Sequence, residues 1–160
     1  MALNDKTKNK YRRVIRGIMI VLAVVLLVMG LAVPIMNNAI AMGDARTLKA
    51  LSSTETDTVL ETTSQAGRFN GTAGHVQYFA AMLIRSDRSL EELRTYYAAN
   101  NKDLGIVYRV AEQKGQEITV MDGVSLAFRE NVGESGYYIV YTLRTGGNAA
   151  QWWLDMDVRG

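Results

Sequence analysis

The 160-residue chain has no cysteine. A disulfide-stapled miniature scaffold, a cysteine-ligated zinc site, thiol catalysis and lipid attachment through cysteine are therefore excluded together. Whatever folds must be held by its own core. Histidine is almost as scarce: His75 is the sole one, and a lone imidazole cannot build a histidine-based metal site, although it can act as a base beside a serine or an aspartate. Gly-x-Ser-x-Gly, Gly-x-Gly-x-x-Gly, phosphate-loop and His-Glu-x-x-His patterns do not occur. On this reading no catalytic residue, no cofactor and no metal ligand is assigned.

Charge is missing from one long stretch. Residues 17–36, GIMIVLAVVLLVMGLAVPIM, contain no ionisable side chain, and about 20 residues at a rise of about 1.5 Å each span roughly 30 Å, the thickness of a bilayer's hydrocarbon core. The preceding 16 residues hold Lys6, Lys8, Lys10, Arg12, Arg13 and Arg16 against Asp5, a net of +5, which leaves −3 for residues 37–160. A basic flank of this kind stays in the cytoplasm and sends the remainder outside. The sequence pI near 8.9 is thus a local orientation tag, and no nucleic-acid partner is expected from it. The bilayer is the first partner the sequence implies.

Two fates compete for this segment. A cleavable signal peptide has a basic start and a small-residue site, here Ala39-Ile40-Ala41, but its apolar core is about 7–15 residues long. The longer run favours a retained anchor, with secretion after cleavage near Ala41 as the alternative. The single proline, Pro34, lies near the outer end of the run, where a lost helical hydrogen bond is tolerated. No Gly-x-x-x-Gly spacing marks a dimer face, and the lack of charge removes transport and proton-relay roles.

The chain divides accordingly into a basic cytoplasmic tail at 1–16, a transmembrane helix at 17–36, a connector at 37–74 and an extracytoplasmic domain at 75–160. Ten of the 32 residues from Gly43 to Gly74 are Ser or Thr, which reads as a connector. A short helix through Leu48 and Leu51, or an edge strand over Thr54 to Thr62, is weakly supported within it. His75 to Arg85 is clearer: Val76, Tyr78, Ala80, Met82 and Ile84 share one face of an extended chain, with a second partly apolar face opposite. Ser89 and Glu92 have capping-box spacing, so a helix begins at Leu90, with Leu90, Leu93 and Tyr97 on its inner stripe and Tyr96 at the margin. Beyond Gly105 the period becomes extended, with candidate strands at 106–113, 117–121, 124–128, 137–144 and 151–158. Residues 117–121 and 124–128 can also merge into one bulged strand.

This order predicts an α+β domain in which one helix packs on a curved antiparallel sheet of about five strands. Over residues 75–158 it is similar to cystatin-like folds. The Gln-Val-Val-Ala-Gly type of inhibitory loop is missing, so the resemblance implies no protease inhibition.

Candidate functional residues are few. Asp155 and Asp157 fall on one face of the last expected strand and read as a solvated surface, because a calcium site gathers more oxygen ligands. Aromatic pairs on strands send their rings to opposite faces. Tyr137 with Tyr138 and Trp152 with Trp153 therefore each offer one outward ring, together a candidate binding platform for a polymer or protein. The expected function is a single-pass, membrane-anchored, non-catalytic envelope protein that binds or assembles with an envelope protein or polymer. A small-ligand or lipid-binding module is the alternative, and an enzyme with a dispersed site the third reading.

Overall fold

Helix α1 runs from Asp5 to Leu51, 47 residues, more than twice the length of the uncharged run that seeds it. The computed structural model describes residues 5–52, 57–69, 74–99, 107–146 and 154–155. Along the apolar stretch the large side chains stand in the open: Ile20 and Val21 are each 64% exposed and Leu31 is 61%. The most apolar 18-residue window has a mean hydropathy of 3.1 and only 6% of it is buried. The core helix of a soluble fold would be covered instead. This helix is long and apolar enough to cross a membrane, and it stands clear of the folded body.

From Val33 onward the same helix changes character. Val33, Asn37, Ala41, Asp44, Ala45 and Leu48 are buried, and their spacing of three and four residues places them on one stripe. The stretch expected to be a connector carries regular structure: residues 37–51 continue α1, and Asp57–Gly67 form strand β1. Pro34 sits inside the helix, between Val33 and Asn37, both of which the folded body buries.

The remaining elements are β2 (Gln77–Ser86), α2 (Leu90–Ala99), β3 (Tyr108–Glu112) and β4 (Tyr137–Thr145). The four strands form one sheet in the order β1-β2-β4-β3, every neighbouring pair antiparallel. β2 and β3 therefore run parallel to each other, joined through α2 and separated by β4, a split β-α-β arrangement. The α+β class and antiparallel pairing follow the sequence expectation, with four strands among the described residues in place of about five. Residues 117–121 and 124–128 meet only at a single bridge between Glu117 and Ala127. Leu154 and Asp155 lie in a short 3-10 turn rather than in a strand.

Two helices, not one, cover the first face of the sheet. Ala45 and Leu48 of α1 and Leu93 and Tyr97 of α2 pack with Ala80, Met82, Ile84, Val110 and Val140. The capping box closes α2 as its spacing predicts: the Ser89 amide donates to Glu92 Oε2 at 2.8 Å, and the Glu92 amide donates to Ser89 Oγ at 3.3 Å. The Ser89 hydroxyl and amide together hold the Glu92 carboxyl below its usual range. On the opposite face Phe79, Ala81, Leu83, Ile139 and Tyr141 pack against Phe69, Ile118 and Phe128, so the irregular segment 113–136 forms a second cover. Strand β2 is consequently buried on both sides.

Candidate functional site

A chain of polar contacts joins α1 to the sheet next to the protruding apolar segment. Asn37 is fully buried; its Oδ1 accepts from the Tyr78 hydroxyl at 2.9 Å and its Nδ2 donates to the Leu154 carbonyl at 3.1 Å. About two turns further along α1, Asp44 accepts from Arg144 Nη2 at both carboxylate oxygens at 3.1 Å, with Nε reaching Oδ2 at 3.3 Å. The guanidinium also lies 5.4 Å from the centre of the Tyr78 ring, a cation–π distance. Burial raises the Asp44 carboxyl above its usual range, and the Arg144 charge only partly offsets that rise. These side chains fix the rotation and height of α1 on the sheet, since a shift by one residue would strand a buried amide and a buried carboxylate.

The short turn at Leu154–Asp155 docks at the same end. His75 Nδ1 and Asp155 Oδ2 are 2.7 Å apart, the Val76 amide donates to Asp155 Oδ1 at 2.9 Å, and Arg68 donates to the Asp155 carbonyl at 2.7 Å. Burial alone would raise the Asp155 carboxyl, but bonds from His75 and Val76 and the nearby Arg68 charge together bring it below the usual range. Gly146 belongs to this junction: its amide donates to the Val76 carbonyl at 2.7 Å, and a Cβ there would stand 2.9 Å from that oxygen. No larger residue fits without moving backbone.

His75 and Asp155, unconnected in the sequence reading, thus meet in a hydrogen-bonded contact. An aspartate at Nδ1 leaves the imidazole Nε2 facing outward, the orientation a general base requires. Among the described residues no hydroxyl is hydrogen-bonded to His75. Among them, too, no group of three metal-ligating side chains gathers.

The aromatic candidates divide. Tyr137 and Tyr138 open β4 and point to opposite faces, as extended backbone dictates. Tyr138 packs beside the helix-covered core and donates from its hydroxyl to the Arg88 carbonyl at 3.0 Å. Tyr137 lies under the 113–136 segment, close enough to Gly133 that a Cβ there would stand 2.8 Å from its ring. Both rings are half-buried and carry packing duties. Trp152, Trp153 and Asp157 lie outside the described residues.

Sequence reasoning missed an open cleft of about 570 Å³ along β1, lined by Lys49, Val59 to Thr63, Leu126, Ala127 and Arg129. The edge strand weakly supported over Thr54 to Thr62 overlaps β1 (Asp57–Gly67), but the covering position of residues 126–129 was not legible from local pattern. No protein family, no curated protein and no solved structure matches the chain.

Proposed function

We propose that this chain is a single-pass membrane-anchored protein of the cell envelope, with its basic tail in the cytoplasm and a non-catalytic α+β domain outside, where it binds or assembles with another envelope component. One observation carries the reading: a single helix is exposed and apolar over its first part and becomes part of the domain core over its last. The exposed part suits lipid on all sides, and the six basic residues before Gly17 supply the orientation. Retention is favoured over cleavage near Ala41, because Ala41 is fully buried and Asn37, upstream of it, bonds to Tyr78 and Leu154.

The ligand-binding alternative draws less support. The clefts on the domain are open at the surface, and the space between helices and sheet is filled by side chains.

Extraction of membranes at alkaline pH, combined with protease protection in intact spheroplasts, tests the reading. The full-length chain is expected to stay in the pellet, with the domain digested only from outside. Val25→Arg, at a cost of about 2.5–3.5 kcal/mol to insertion, is expected to shift chain into the soluble fraction. Recovery of a soluble product beginning near Met42 would sink the anchor.

A further inference from the structure

We infer that the free edge of β1 is a docking groove for an extended, acidic segment of another envelope protein, which adds to the sheet as a fifth strand. The inference rests on the proposed placement of the domain at the membrane and names the chemistry of its partner.

Strand β1 is terminal in the sheet, and among the described residues no backbone hydrogen bond leaves the outer edge of Val59 to Thr63. An unpaired edge is a template for another strand, and proteins that do not use one usually cover it. Here the two covers stop short. Lys49 of α1 stands on one side of the edge and Leu126, Ala127 and Arg129 of the loop layer on the other, so the edge forms the floor of the 570 Å³ cleft. Five residues at about 3.3 Å each fit its length.

The charges identify the occupant. Glu61 is already engaged, its Oε2 accepting from the amides of Arg129 and Glu130 at 2.7 and 3.1 Å. Among the described residues neither Lys49 nor Arg129 has an acidic partner. With the Glu61 carboxylate counted, the cleft lining carries a net charge of +1 from Lys49 and Arg129, beside a row of unpaired amides and carbonyls, which is complementary to an acidic strand. The register shift at Val59/Glu61 sends Leu60 and Glu61 to the same face, which is how the Glu61 carboxylate reaches the loop.

A second copy of this chain is the wrong occupant. The strands lie along α1: Ala41 meets Val76 and Tyr78 at the start of β2, while Leu48 and Leu51 belong to the cluster holding Ile84 at its end. Symmetric antiparallel pairing of two β1 edges requires a two-fold axis perpendicular to the strands. That axis would lie in the membrane plane and turn one anchor upside down. Two copies in one bilayer cannot pair this way.

The test uses full-length protein in phosphatidylcholine nanodiscs and a nine-residue peptide of alternating Glu and Val, with a Lys/Val peptide as control, read by fluorescence anisotropy. The Glu peptide is expected to bind and the Lys peptide not. Lys49→Glu with Arg129→Glu should weaken the Glu peptide about tenfold or more and reverse the preference, the scale set by losing charge-assisted contacts. N-methylation of alternate peptide amides should weaken it similarly, since only strand pairing needs those donors. If the double variant misfolds by circular dichroism, Lys49→Gln with Arg129→Gln replaces it. No binding, or binding indifferent to N-methylation, overturns the inference. Anchoring is judged separately: peptide binding by a chain that alkaline washing extracts would refute the anchor and leave the groove standing.

Discussion

The two parts of α1 are built from one continuous backbone and answer to two different surroundings. Between Gly17 and Leu31 nearly every side chain is apolar and exposed; from Val33 to Leu48 the buried positions are Val, Asn, Ala, Asp, Ala and Leu. The outer part is the less hydrophobic of the two and yet the better packed. Burial in a protein interior rewards small size and matched hydrogen bonds, because backbone must approach backbone, whereas residence in hydrocarbon rewards apolar surface alone. A hydropathy profile ranks these halves in the wrong order for their contribution to the fold.

The sharpest way to break this contrast is to make the same substitution in each half. Leu48→Ala should lower the domain's unfolding free energy by about 2–5 kcal/mol through transfer loss and a cavity, while Leu26→Ala, 62% exposed, should leave it unchanged. Chemical denaturation in detergent, followed by tryptophan fluorescence, measures both. Equal effects would mean that the halves are one structural unit after all.

Asn37→Ala comes next. It leaves the buried Tyr78 hydroxyl and the Leu154 carbonyl without their Asn37 contacts, for an expected loss of about 1–3 kcal/mol. Tyr78→Phe in the same background should then cost less than Tyr78→Phe alone, and a full additive penalty would contradict the hydrogen-bond account.

The smallest effect is one of pH, and its sign differs between two carboxylates. Asp44 is raised in the fold, so the folded state holds its proton more tightly: its contribution is greatest below the ordinary carboxylate value near about 4 and fades as pH rises through the raised value. Asp155 is lowered, so its contribution is present above about 4 and is lost as pH falls through the lowered value. Stability of Asp44→Asn and Asp155→Asn, measured from acid to neutral pH, should show the two slopes changing in opposite directions. Parallel changes would refute the assignment of burial to one and hydrogen bonding to the other.

Legibility followed the range of the interactions. The start of α2 at Leu90 was readable because the Ser89 and Glu92 contacts span three residues, and β2 was readable because Val76, Tyr78, Ala80, Met82 and Ile84 share one extended face with a partly apolar face opposite. Strand β1 was legible only as a weakly supported edge strand over Thr54 to Thr62, since its Thr-rich middle shows no apolar alternation until Leu83 and Met82 are known to lie beside it. The outer part of α1 was hidden for a similar reason: a stripe of Asn37, Ala41, Asp44 and Ala45 has helical spacing but no hydrophobic contrast. The meeting of His75 with Asp155, 80 residues apart, could not be anticipated from either neighbourhood. The Glu117 to Phe128 segment offers the converse lesson. Its alternation suggested strands, but both partners became a cover over the second face of the sheet, which needs apolar contacts rather than a ladder.

A helix of 47 residues is about 70 Å of stiff rod, and its buried positions run from Val33 to Leu48, across Pro34. If the apolar part spans a bilayer as proposed, any tilt of the span would carry the sheet with it, and because a span adjusts to a thinner or thicker bilayer by tilting, bilayer thickness would then turn the proposed β1 groove toward different neighbours.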